Sequence, residues 1–296
     1  MTETNPLRID GEPTQKGESG IVQLQIEHGS FLAYRRRFAS RDGPKGQNGI
    51  APRIVFPGIV FLGGFKSDMT GTKASTLDEF CHARGLGFLR FDYSGHGESS
   101  GDFLDGTISR WFADALAAFD RLTEGPQILV GSSMGGWIML LVALARPARV
   151  KGLIGLAPAP DFTEQLIWRK LSERDRETLL RDGKLAQPSD YSPEPYVITR
   201  ALIEDGRKHL LLGDESRAAI EIDAPVRLLH GLNDPDVPHA VSLQLQTRLR
   251  SEDVVLHLIK DGDHRLSRPQ DLARLCDAVE ELVQLSAASN AASPTR

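Results

Sequence analysis

The chain has 296 residues, 40% of them hydrophobic and 25% charged, with 28 Gly and 17 Pro. This is ordinary globular composition and excludes collagen-like, coiled-coil and wholly disordered chains. A net charge of −5, from 35 Lys plus Arg against 40 Asp plus Glu, offers no overall attraction to nucleic acid or to an anionic membrane, so neither is an expected partner.

A chain of this length buries roughly three quarters of its unfolded surface and needs neither disulfide nor metal to fold. Its two cysteines, Cys81 and Cys276, are too few for a disulfide framework or a cysteine-rich zinc site and read as small packing residues in a reducing compartment. Residues 1–20 are polar and carry Glu3, Asp10, Glu12 and Glu18, unlike a secretory signal or an acid-poor transit peptide. The longest apolar run, Trp137 to Ala145, falls far short of the roughly 20 residues that cross a bilayer. The expectation is a cytoplasmic protein without a membrane span, with flexible tails at 1–20 and 286–296.

Along the chain, Ile21–Ile26 and Ser30–Phe38 read as strands around His28-Gly29; Arg35, Arg36 and Arg37 decorate the wet face of the second. Arg53–Leu62 is mostly apolar and ends in Gly63-Gly64. Thr72–Arg84 has helical spacing and stops at Gly85. Phe88–Phe91 is a short apolar run, followed by the polar turn Asp92-Tyr93-Ser94-Gly95-His96-Gly97-Glu98-Ser99, read as the floor of a site. Ile108–Leu122 places Trp111, Ala115, Leu116, Phe119 and Leu122 on one helical face. Strands follow at Gln127–Val130, Val150–Ala157, Pro225–Leu229 and Val254–Ile259, with helices at Met134–Ala145 and Pro269–Leu285.

Uniformly apolar runs alternating with helices predict a parallel sheet covered on both faces. The predicted class is therefore α/β: a mostly parallel twisted sheet flanked by helices, with its core in 21–160 and 224–285. Residues 161–223 break the alternation and read as a helical lid insertion, with helical Leu166, Ile167, Leu171, Leu179, Leu180, Val197, Ile198, Ala201 and Leu202 around the joint Pro188–Pro195.

Gly131-Ser132-Ser133-Met134-Gly135 matches G-x-S-x-G between a strand and a helix, the context that pattern requires. Two glycines permit a sharp turn that projects the Ser133 hydroxyl, and the helix start aims N–H groups at any oxyanion formed there. A serine nucleophile needs a base, and the base needs an orienting acid. His264 follows a strand in Asp261-Gly262-Asp263-His264 and is the expected base. His257 lies within a strand, His230 closes one and His239 opens a helix, while His28, His82 and His209 have no partner signal. Asp234 follows the strand Val226–Leu229 and is the expected acid; Asp236, before Val237-Pro238, is its rival.

The expected oxyanion donors are the backbone N–H groups of Met134 and Phe65, the latter in Gly63-Gly64-Phe65-Lys66-Ser67. Phe162, Leu166, Ile167, Trp168 and Leu171 are candidates for an acyl-binding wall or for the insertion's own packing face. The cluster of Asp and His residues around 234–264 lacks recognised ligand spacing, so no metal and no cofactor are expected.

The order of these segments resembles the α/β-hydrolase superfamily over about Ile21–Leu285. More narrowly, the chain resembles the branch of mitochondrial palmitoyl-protein thioesterases and acyl-glucuronide esterases. The segments Met69–Ala74, Arg90–Gly95, Gln127–Trp137, Ala145–Pro147 and Arg227–Gly231 carry that likeness. The resemblance implies a serine hydrolase with Ser133 as nucleophile, Asp234 as acid and His264 as base. Its substrate is expected to be a small-molecule or acylated-protein ester or thioester. A serine peptidase of the same fold and a non-catalytic binding protein are the alternatives.

Overall fold

Strand residues alternate between two cores. Ile59 and Phe61 pack with Leu77, Cys81, Leu275, Val279 and Leu282 on one side. Val60 and Leu62 pack with Trp111, Phe119, Trp137 and Leu140 on the other. A strand apolar on both faces belongs inside a sheet with helices above and below. The computed structural model describes residues 22–39, 56–187, 195–214, 216 and 218–292. The expected tail at 1–20, the start of the Arg53–Leu62 run and most of the Pro188–Pro195 joint lie outside them.

In chain order the elements are β1 (Val22–Gln25), β2 (Phe31–Arg37), β3 (Gly58–Leu62), α1 (Thr72–Arg84), β4 (Phe88–Phe91), α2 (Ile108–Leu122), β5 (Gln127–Ser132), α3 (Met134–Ala145) and β6 (Val150–Leu156). They continue with α4 (Glu173–Asp182), β7 (Lys184–Gln187), β8 (Tyr196–Thr199), α5 (Arg200–Gly206), β9 (Val226–Gly231), α6 (Ala240–Arg248), β10 (Val254–Ile259) and α7 (Pro269–Ala292).

Eight strands form one sheet in the order β1-β2-β4-β3-β5-β6-β9-β10. β1 and β2 pair antiparallel and β2 runs antiparallel to β4, while β4, β3, β5, β6, β9 and β10 are mutually parallel. The chain steps from β3 outward to β4, then back across β3 to β5. Such a reversal opens a crevice at the carboxyl ends of the strands. The loops after β3, β5, β9 and β10 all leave the sheet at that edge.

α1 stops at Gly85, whose φ of +67° is a left-handed cap. α3 is apolar all round, and ten of its residues from Met134 to Ala143 are buried. α7 runs through Ala292, so residues 286–292 continue the helix beyond the expected stop at Leu285.

Between β6 and β9 the chain forms a π turn at Thr163–Ile167, then α4, the antiparallel hairpin β7–β8, and α5. Val197 and Ile198, expected in a helix, lie in β8 instead. The buried carboxylate of Asp161 ties the two ends of this segment by accepting hydrogen bonds from the N–H groups of Leu211, Leu212 and Gly213 at 2.8, 2.8 and 2.6 Å. Asp205 on α5 accepts from the Ser109 N–H at 2.7 Å and its hydroxyl at 2.8 Å, and Trp137 Nε1–H donates to His209 O at 3.1 Å. These bonds anchor the segment to α2 and α3.

Candidate active site

Ser133 stands between β5 and α3 with φ +54° and ψ −119°, a backbone conformation that non-glycine residues rarely adopt and that persists only where the surroundings impose it. The surroundings are two glycines. A Cβ on Gly131 would lie 2.4 Å from the Gly135 oxygen, and one on Gly135 would lie 2.1 Å from the Leu62 oxygen. The elbow therefore closes against β3 only because both side chains are missing. Ser133 N–H donates to Leu156 O at 2.9 Å, and Ser133 O accepts from Gly136 N–H at 2.8 Å and Ala159 N–H at 3.0 Å.

Two further loops bring in the acid and the imidazole. They touch back to back: a Cβ on Gly231 would lie 2.3 Å from the Gly262 oxygen. Asn233 N–H donates to Gly262 O at 2.9 Å. Asp263 Oδ1 accepts from Leu266 N–H at 2.9 Å and so closes the turn around the imidazole. Lys73 Nζ, on α1, donates to Arg265 O; burial pushes its ammonium down to about 8, against the favourable pull of Asp263.

As a result Asp234 Oδ2 accepts from His264 Nδ1–H at 2.7 Å, and the Ser133 hydroxyl lies 3.1 Å from His264 Nε2. Asp234 Oδ1 accepts from the N–H groups of Asp236 and Val237 at 2.9 and 2.8 Å. Burial alone would raise this carboxyl. Hydrogen bonds from His230, His264 and the Val237 N–H outweigh it and hold Asp234 well below the usual carboxylate range. The group is ionised and only 1% exposed. Asp234, Asp236 and His264 offer ligand atoms within 4.8 Å of one another, but both Asp234 oxygens already accept the hydrogen bonds just described.

Sequence reasoning gave His230 no part in this site, and the structure sets it against the acid. The ring is fully buried. The Ser242 hydroxyl lies 2.7 Å from Nδ1, and Nε2–H donates to Val237 O at 2.9 Å while standing 3.3 Å from Asp234 Oδ2. Its position as the last apolar-flanked residue of a strand, four before the acid, is the only signal the sequence carried.

A cavity of about 650 Å³ opens beside Ser133, and Phe65, Met134 and His264 are on its wall. Gly64 sits close under the serine: a Cβ there would lie 3.3 Å from the Ser132 oxygen, a tight contact with backbone, and 3.5 Å from Ser133 Cβ. Phe162 and Leu166 line the cavity, as does Ile167. Trp168, expected beside them, is not a lining residue. The π turn ends at Ile167, and the ring of Trp168, the next residue, faces the guanidinium groups of Arg176 and Arg207 at 5.3 and 4.8 Å. Leu171 is buried among Leu179, Ile198 and Ile203. The hairpin supplies lining that the sequence reading missed, in Gln187, Tyr196 and Ile198.

The family model described as "Serine aminopeptidase, S33" (Hydrolase_4) matches residues 59–271. The mouse mitochondrial palmitoyl-protein thioesterase ABHD10 is 42% identical over 228 residues, which span 77% of this chain and 75% of that protein. The crystal structure of a candidate hydrolase from Agrobacterium vitis superposes with a TM-score of 0.79 at 43% identity, covering 89% of this chain and 97% of the other. Mouse alpha/beta hydrolase domain-containing protein 10 superposes with a TM-score of 0.77 at 37% identity, covering 89% and 98%. The expectation of a cytoplasmic protein is corrected by these relatives, which are named mitochondrial in mouse, cattle and rat; the acidic character of residues 1–20 is no guide to compartment. With the family model spanning most of its length, the chain belongs to the Hydrolase_4 family of α/β hydrolases and is a hydrolase of the ester and thioester type.

Proposed function

We propose that the protein cleaves acyl thioesters or carboxylic esters through an acyl-enzyme on Ser133. The observation that carries this reading is the unbroken path from Asp234 Oδ2 through His264 to Ser133 Oγ, with links of 2.7 and 3.1 Å. His264 Nε2 takes the Ser133 proton as Oγ bonds to the acyl carbon and the carbonyl electron pair moves onto oxygen. The backbone N–H groups of Phe65 and Met134 hold that oxyanion. Its collapse expels the leaving group, and His264 gives up its proton, to the alkoxide as it departs or, after a thiolate has left, to the thiolate or solvent, which returns the imidazole to its neutral form. His264 then takes a proton from water, hydroxide attacks the acyl carbon, and the acid leaves as Ser133 regains its proton.

A thiolate, with a conjugate acid near pKa 8.5, leaves with little help from a general acid. Amides need far more, so thioesters and activated esters are the preferred substrates. Relatives named palmitoyl-protein thioesterases support the acyl-thioester class. Phe162, Leu166, Ile167, Tyr196 and Ile198 give the cavity an apolar side suited to an acyl chain, and residues 161–223 serve as the lid that carries most of it. The family description raises a peptidase instead. A panel of acyl thioesters of rising chain length, aryl esters, acyl glucuronides and aminoacyl anilides separates the two. Turnover of the thioesters and esters, lost in Ser133→Ala with folding intact, is expected. Turnover of the anilides alone contradicts the proposal.

A further inference from the structure

The polar turn Asp92–Ser99 takes no part in the proton path, yet it sends a histidine under the oxyanion loop. His96 is 3% exposed. Its ring is enclosed by Tyr93, Phe103 and Trp111, with centroids at 5.6, 5.1 and 5.2 Å. Both nitrogens meet backbone rather than side chains: Nδ1 lies 3.3 Å from Ser94 O, and Lys66 N–H donates to Nε2 at 3.2 Å. An accepting Nε2 places the proton on Nδ1, so the ring is neutral. Burial pushes its pKa down to about 4 and keeps it so.

The residue it binds is strained. Lys66 has φ +56°, and Ser67 N–H donates to Gly64 O at 3.1 Å. Residues 64–67 thus form a turn with Lys66 at the third position in a left-handed conformation, a place that favours glycine. A side chain there persists only if something holds the central peptide. His96 binds the N–H of that peptide. Phe65, on its other side, is gripped by the same aromatic cluster, with its ring centroid 4.9 Å from Phe103 and 5.8 Å from Trp111.

We infer that His96 is a positioning residue: by accepting from Lys66 N–H it holds the Gly64–Ser67 turn in the form that presents Phe65 N–H to the acyl oxygen. The inference rests on the proposed oxyanion role of Phe65. Imidazole suits the task because it is an uncharged acceptor whose faces pack on aromatic rings. A carboxylate would bring a charge into that enclosure, and Lys or Arg has no acceptor.

The test compares 4-nitrophenyl acetate with its thionoester, whose sulfur is a poor acceptor for oxyanion-hole N–H groups. Wild-type enzyme is expected to prefer the oxygen ester. His96→Phe keeps a ring and loses the acceptor. It is expected to lower kcat/KM for the oxygen ester by about ten- to a hundredfold and to shrink the oxygen-over-sulfur preference. His96→Gln, whose amide oxygen reaches the same N–H, is expected to restore much of both. A wild type with no preference overturns the Phe65 reading, and this inference with it. A wild-type preference that His96→Phe leaves intact overturns the inference alone. If His96→Phe does not fold, the wild type still decides: NMR should detect a coupling between Lys66 N and His96 Nε2 across the hydrogen bond, and a protonated Nε2 at neutral pH contradicts it.

Discussion

Asp234 and Asp236 are two residues apart, and the distance of 2.7 Å to His264 Nδ1 belongs to Asp234. The sequence favoured Asp234 because it comes sooner after its strand. The structure adds the cause: Asp234 turns back over the strand end, where His230 and two N–H groups grip it. Asp234→Asn should leave the fold intact and lower kcat about 10⁴-fold by upsetting the imidazole tautomer; Asp236→Asn should cost far less. Steady-state kinetics on one thioester checks the pair. At the elbow, Gly135→Ala drives a methyl group into the Leu62 and Gly63 oxygens, both of them backbone. A loss of about 3 kcal/mol in stability is expected, read by urea unfolding. Ser133 was legible because its motif is local. His96 and His230 were not, because their roles exist only where distant loops meet.

The helices show which elements a sequence can announce. α1 and α2 run over the residues expected of them, since Gly85 ends one and Thr107 caps the other through a hydrogen bond from Arg110 N–H. β7 and β8 have four residues each, too short for periodicity to separate strand from helix. The run Tyr196-Val197-Ile198-Thr199, rich in β-branched and aromatic residues, was the overlooked signal. That miss matters, because the hairpin places Tyr196 and Ile198 on the cavity wall while Trp168 turns toward Arg176 and Arg207. Tyr196→Ala is therefore expected to raise KM for long-chain acyl thioesters several-fold and to leave short-chain ones little changed. Trp168→Ala should produce no such chain-length dependence. A chain-length series on both variants checks this.

Across the whole molecule, a run of uniformly apolar strands implied the parallel sheet, and the loops at its carboxyl edge gather residues 65, 133, 234 and 264. The order of strands was not legible from the apolar runs, because a buried run names its environment and not its neighbours. Stability carries the imprint of the same architecture. His96 has its pKa lowered from 6.5 to about 4 by burial, so acid protonates the unfolded chain first. Its contribution to stability is complete above about pH 6.5 and is lost as pH falls toward 4, by roughly 3 kcal/mol. Asp92, raised by burial to about 6, acts oppositely: its contribution is present below about pH 4 and is lost as pH rises through 6. Replacing His96 by Gln removes the first effect, so the variant's stability should fall relative to the wild type's as pH rises from 4 to 6. Urea unfolding at several pH values measures both.

The most direct measurement is the mass of the intact protein after brief exposure to a slowly hydrolysed acyl thioester. Wild type should gain one acyl group, released by hydroxylamine and mapped to the peptide containing Ser133, while Ser133→Ala gains none. An acyl group carried elsewhere, or turnover of the thioester by a folded Ser133→Ala protein, would contradict the proposed chemistry.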